Sequence, residues 1–166
     1  MTEPRWLTPD EQRAWLAYQD ATTLLSDHLE RQLQRDAGIP HAYFALLSRL
    51  SVAPDRAMRM TELAEHLRIT RSRLSHTMLA LEKAGLVERR QAEQDKRGQI
   101  AILTEKGHDL LESVAPGHVA AVRQAVFDRL TPEQVRQLAE IGEAITGALT
   151  TVSPEDYPAD LPWRRR

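Results

Sequence analysis

No cysteine occurs among the 166 residues of this chain, which excludes disulfides, thiolate metal sites and thiol-based redox sensing together. No run of about 18 apolar residues is present, and the N-terminal MTEPRWLTPDEQ is too polar for a signal peptide. A soluble, cytoplasmic protein with no membrane partner is expected. Glycine is sparse, with seven in all, and none builds a phosphate-cradling loop. A G-x-S-x-G elbow is also missing, so no catalytic set is visible and the chain does not read as an enzyme. The six histidines, His28, His41, His66, His76, His108 and His118, show no HExxH or comparable spacing. His41 and His108 both fall near the expected hinge between layers, but His108 has no second histidine one turn later. No metal and no cofactor are therefore expected.

A strong charge of either sign is missing too. The net charge of -2 argues against wholesale polyanion binding, so any contact with nucleic acid must come from a local patch. Such a patch is present. Arg56 to Gly98 contains ten Lys or Arg against six Asp or Glu, a local +4 that leaves -6 for the rest of the chain. A basic face on an acidic body suits a selective DNA binder, because the body resists indiscriminate adhesion.

The length fits one domain, or a small DNA-reading module with an added helical layer. Thr8-Pro9 offers an N-cap and a first-turn proline. Trp15, Tyr18, Thr22, Leu25, Leu29 and Leu33 then recur at helical spacing, up to Gly38 and Pro40. A second helix runs from His41 to about Leu50, and Met58 to Met60 suits a short strand. Thr104 caps a further helix reaching about Leu130, with a kink or interruption expected at Pro116. Thr131-Pro132-Glu133-Gln134 opens the last helix through a capping box, and Ser153-Pro154 ends it. The tail EDYPADLPWRRR either folds back through Tyr157, Leu161 and Trp163 or stays disordered. The first helix and the last two are apolar over more surface than one small module covers. A second copy of the chain is the expected partner.

Between Thr61 and Gly107 the layout changes. In TELAEHL, Leu63, Ala64 and Leu67 define a buried face, and Arg68, Ile69 and Thr70 form a turn. Thr70 caps the next helix, whose inward residues are Leu74, Met78 and Leu81. Arg71, Ser72, Arg73, Ser75 and His76 are left outward on its first two turns. A merely soluble face would favour Glu and Lys, whereas Ser, Arg and His all hydrogen-bond to base edges or phosphates. Thr70 through His76 are placed at the major groove, with Arg73 and His76 assigned to bases, Arg71 to phosphates, and Ser72 and Ser75 to either. Gly85 ends the helix. Leu86 to Arg90 and Gln99 to Leu103 alternate as two strands around the polar loop AEQDKRG. There Asp95 can orient Arg97, beside Lys96, toward the narrow minor groove, with Arg89 and Arg90 along the flanking backbone.

The stretches SRLSHTMLALEKAGLVERR and DKRGQIAILTEKG resemble the MarR family of bacterial transcription regulators, in recognition helix, wing and the Leu-Thr-x-x-Gly that opens the next helix. The resemblance covers about residues 9 to 150. It implies a mainly α fold with a small β-wing: a winged helix-turn-helix lobe (56–103) and a helical dimerisation layer. That layer takes in 9–50, with its support helix, and 104–150, leaving 151–166 as an extended tail. It also implies a homodimeric regulator on a palindromic double-stranded operator near a promoter, and repression is the expected sign because a dimer sitting there blocks polymerase by occupancy alone. By motif position, Ser72, Arg73, Ser75 and His76 match the family's recognition-helix contacts, Arg97 its wing-tip arginine and Asp95 the orienting acid. His76 stands where many members carry arginine. Release by a small aromatic ligand is common in the family, and Tyr18, His41, Tyr43 and Phe44 are the candidates for it, although such residues more often pack a core. The alternative from another class is a dimeric helical interaction protein whose winged lobe binds protein.

Overall fold

A computed structural model of the chain describes residues 5–92 and 95–149, with the backbone alone at 95–97. The tail and the wing-tip side chains of Asp95, Lys96 and Arg97 therefore lie outside the described residues. Helix α1 spans Pro9–Ala37. It opens on a reciprocal capping box: Thr8 Oγ1 accepts from the Glu11 amide at 3.3 Å, and Glu11 Oε2 from the Thr8 amide at 2.7 Å. Gly38, at φ +65°, closes it by donating to the Gln34 carbonyl. Helix α2 (His41–Ser51) follows, then strand β1 (Ala57–Arg59), α3 (Met60–Leu67) and α4 (Arg71–Lys83). Strands β2 (Val87–Ala92) and β3 (Asp95–Leu103) lead into α5 (Glu105–Ala125) and α6 (Pro132–Leu149). The three strands form one antiparallel sheet in the order β1-β3-β2, with Val87 opposite Leu103 and Arg89 opposite Ala101.

The core sits inside the lobe. Phe44, Leu46, Leu47 and Leu50 of α2 meet Leu63 of α3, Leu74, Met78 and Leu81 of α4, Val87, Ala101 and Leu103 of the sheet, and Leu111 and Val114 of α5. Alternation of this kind, apolar every third or fourth residue in helices and every second in strands, is what lets three layers share one interior. The outer helices behave differently. Among the described residues α6 has none buried, and Trp15, Leu16 and Leu24 on α1 stay exposed along with Leu138, Ile141 and Leu149 on α6.

Three expectations change. Helix α5 runs through Pro116 without interruption: the carbonyl that loses its donor belongs to Glu112, and both residues are exposed, so only one bond is lost from a 21-residue helix and no buried group is left unpaired by it. It stops at Ala125 rather than near Leu130, and a 3-10 turn, Phe127–Arg129, follows. That turn is held by Arg123 donating to Asp128 at 2.8 Å, and Thr131 then caps α6. The hairpin is also longer than the alternating apolar residues suggested, since pairing continues across an irregularity at Gln91/Ala92 to place Asp95 opposite Ala92. Backbone ladders need only extended residues, so polarity did not mark their end.

Candidate nucleic-acid interface

Helix α4 is cut out by local signals at both ends. Thr70 Oγ1 accepts from the Arg73 amide at 3.2 Å. At the other end Gly85 takes φ +72°, its amide donates to Glu82, and the Leu86 amide reaches back to the Leu81 carbonyl at 2.9 Å. This is a Schellman closure, with Leu81 and Leu86 both buried beneath it. The preceding turn makes the same closure with a non-glycine residue, Arg68 at φ +54°, followed by the Ile69 amide donating to Ala64. A left-handed arginine costs about 1 kcal/mol, and the packing of Ile69 against the core opposes that cost.

These closures hold Leu74, Met78 and Leu81 inward. Arg71, Ser72, Arg73, Ser75 and His76 consequently all stand exposed together on the first two turns, at the positive end of the helix dipole. Among the described residues neither Arg71 nor Arg73 forms an ion pair. Leu79, 57% exposed, continues this face onto the third turn. Sequence reading passed it over because a leucine at helical spacing looks like core. Thr70 itself has its hydroxyl engaged as the cap.

The wing arginines divide. Glu88 and Arg90 point to one side of β2 and pair at 3.0 Å. Period two puts Arg89 on the other side with buried Val87, and there it forms a two-pronged bond to Glu82 of α4, Nε to Oε1 at 2.9 Å and Nη2 to Oε2 at 2.5 Å. That carboxylate raises the Arg89 pKa further above its ordinary value. Glu82 was not singled out from the sequence, although the alternation in Val87-Glu88-Arg89 already turned Arg89 inward. At the root of the wing, Thr104 Oγ1 accepts from the Gly107 amide and donates to the Gly85 carbonyl at 2.8 Å, while Lys106 Nζ donates to the Ala84 carbonyl at 2.7 Å. The Leu-Thr-x-x-Gly signature is thus the clamp between α5 and the end of α4.

The groove that Tyr18 borders does not take in the other aromatic candidates. Tyr18 borders an open groove of about 670 Å³ with Leu25, His28, Arg31 and Leu130. Phe44 is buried in the core with Tyr43 against it, and His41 faces His118, a residue not singled out from the sequence, with ring centres 5.6 Å apart. His108 faces Glu112 at 3.4 Å instead. Among the described residues no three side chains are grouped to hold a metal ion, and no helix is long and apolar enough to cross a membrane.

Comparison with known proteins places this architecture. A model of the MarR family matches residues 37–98. The structure also resembles that of Sco3205, a MarR family transcriptional regulator from Streptomyces coelicolor solved in complex with DNA. The two are 57% identical, the match covers 98% of this chain and 100% of that one, and the TM-score is 0.87. The chain belongs to the MarR family of transcriptional regulators. A second MarR family regulator from the same organism, AbsC, is 39% identical over 88% of this chain and 98% of its own, with a TM-score of 0.84. The transcriptional repressor YetL of Bacillus subtilis is 27% identical over 72% of this chain and 74% of its own. The reading of this MarR lobe as a protein-docking module finds no support in these relatives.

Proposed function

We propose that this regulator grips a pseudo-palindromic DNA operator as a homodimer and represses by occupying a promoter. The observation that carries the reading is the cluster of exposed Arg, Ser and His on the N-terminal half of α4, beside a hairpin whose β3 begins with Asp95, Lys96 and Arg97. An α-helix fits the major groove, and its first turns reach base edges. In this reading Arg73 and His76 contact bases, Ser72 and Ser75 contact bases or phosphates, Arg71 and Arg90 contact phosphates, and Arg97 enters the minor groove. Leu79 adds an apolar surface suited to a thymine methyl. The DNA-bound relative at 57% identity supports the choice of partner, and the repressor among the relatives supports the sign. A small aromatic effector would enter at the groove beside Tyr18.

The test is a titration of a promoter fragment at two salt concentrations. Affinity should fall steeply with salt, and Arg97→Ala should flatten the slope by about 0.9 if one phosphate-like contact is lost. Arg73→Ala should cost about 1–3 kcal/mol and relax preference at one base position. Equal weakening on every sequence would make Arg73 a phosphate clamp, and no retardation of any upstream fragment would remove autoregulatory binding.

A further inference from the structure

We infer that Arg89 is a positioning residue rather than a DNA contact: through its two-pronged bond to Glu82 it sets the angle between recognition helix and wing. The inference rests on the DNA-binding reading above and reassigns one residue within it.

The recognition helix α4 and the wing strand β2 are joined covalently only by the turn at Ala84, Gly85 and Leu86. Glu82 lies in the last turn of α4 and Arg89 in the third position of β2, so the pair spans the two reading elements across that turn. Both carboxylate oxygens and two guanidinium nitrogens are engaged, at 2.9 and 2.5 Å. The two side chains are only 22% and 26% exposed. A planar fork on a carboxylate fixes direction as well as distance, which a lysine or a single bond does not. An arginine held this way faces α4 with two of its three nitrogens committed to Glu82, which turns it away from the outer edge of the wing.

Leverage makes the angle matter. Arg89 to Ala92 covers about 10 Å of strand at the usual rise per residue, and β3 returns from there with Asp95 opposite Ala92. A tilt of about 10° at the root would displace that point by about 2 Å, more than the tolerance of a hydrogen bond. Major-groove and minor-groove contacts made by one rigid head reinforce each other, whereas contacts on a loose hinge do not. The Lys106 and Thr104 bonds hold the turn from the α5 side, and Glu82–Arg89 holds it from the other.

The experiment uses the full-length protein and a duplex that the wild type selects from a random-sequence pool. Five variants are compared: Arg89→Met, Arg89→Lys, Arg97→Ala, Arg97→Ala combined with Arg89→Met, and the exchanged pair Glu82→Arg with Arg89→Glu. Positioning predicts that Arg89→Met weakens binding about tenfold or more and lowers the salt slope by no more than Arg97→Ala does, since both act through the one wing contact. It also predicts that Arg89→Lys recovers only part of the loss and that the exchanged pair recovers most of it. In an Arg97→Ala background, Arg89→Met should cost less than about threefold, because the wing no longer has a contact to align. A further drop in slope of about 0.9 when Arg89→Met is added to Arg97→Ala, together with an exchanged pair weaker than Arg89→Met, would overturn the assignment and make Arg89 a phosphate contact. A loss of the same size in the Arg97→Ala background also overturns it, as general destabilisation acts with or without the wing contact. If Arg89→Met does not fold, the exchanged pair decides alone. A wild type that enriches no sequence overturns the DNA reading, and the positioning role with it.

Discussion

His118 is a buried imidazole at the junction of three helices. Only 8% exposed, it stands on α5 with the Phe44 ring of α2 at 4.3 Å and Gln32 of α1 at 3.1 Å. Gln32 donates its amide to Asp36 at 2.7 Å, which leaves Oε1 to accept, so the network assigns the imidazole proton to Nδ1. Burial pushes the His118 pKa down to about 4, and the nearby His41 adds to the shift. Burial also lowers His41, against the opposing charge of Glu30. The sign follows from linkage: between pH 6.5 and 4 the unfolded chain binds a proton that the folded chain refuses, so stability falls as pH falls. His118 contributes fully above pH 6.5 and loses up to about 3 kcal/mol on the way to pH 4. Denaturant titrations at pH 7 and pH 5 should show this decline, and His118→Gln should make it shallower. An equally steep decline in the variant would place the acid sensitivity elsewhere.

At the scale of elements, Gly107 decides how α5 meets the lobe. A Cβ there would lie 2.1 Å from the Leu86 carbonyl oxygen and 2.7 Å from Leu103 Cδ1, so helix and turn would have to separate. Overpacking costs about 1–3 kcal/mol, and the helix preference of alanine over glycine, about 1 kcal/mol, opposes only part of it. Gly107→Ala should therefore lower the denaturation midpoint and weaken operator binding together. Unchanged midpoints would show that the clamp yields freely. The glycine was visible in the sequence as part of a signature, but its cause was not, since the close carbonyl belongs to a residue 21 positions earlier. The same division runs through the chain. The starts of α1, α4 and α6 were legible because Thr8, Thr70 and Thr131 form bonds within three residues of themselves. The length of the hairpin and the pairing of Arg89 with Glu82 were not, because each depends on what another element presents, and the continuity of α5 across Pro116 was not, because it depends on Glu112 and Pro116 both facing outward in the packed fold. The outward face of α4 was read from periodicity alone, since Leu74, Met78 and Leu81 settle what remains outside.

For the whole molecule, the apolar surface left open by one chain is the deciding quantity. Leu138 is 45% exposed, Ile141 54% and Leu149 78% on α6, and Trp15 is 50% exposed on α1. Leu138, Ile141 and Leu149 recur at helical spacing along one side of α6, and an exposed apolar stripe of this kind marks an association surface. A second copy seated there in a two-fold arrangement would bury the same stripe on both chains, at about 1.5–3 kcal/mol for each large side chain. It would also carry a second reading head to the next half-site, roughly 34–36 Å away. Because the lobe has its own core in α2 to α5 and the sheet, a charge on α6 should separate the copies without unfolding the lobe. Ile141→Glu is expected to sediment as a monomer with near-native helix content. Its affinity for a full operator should fall by about 10²-fold or more, through loss of the linked second contact, whereas binding to an isolated half-site should change little. A variant that stays dimeric with wild-type operator affinity would exclude α6 from the interface. A wild type that is monomeric at micromolar concentration would exclude the dimer.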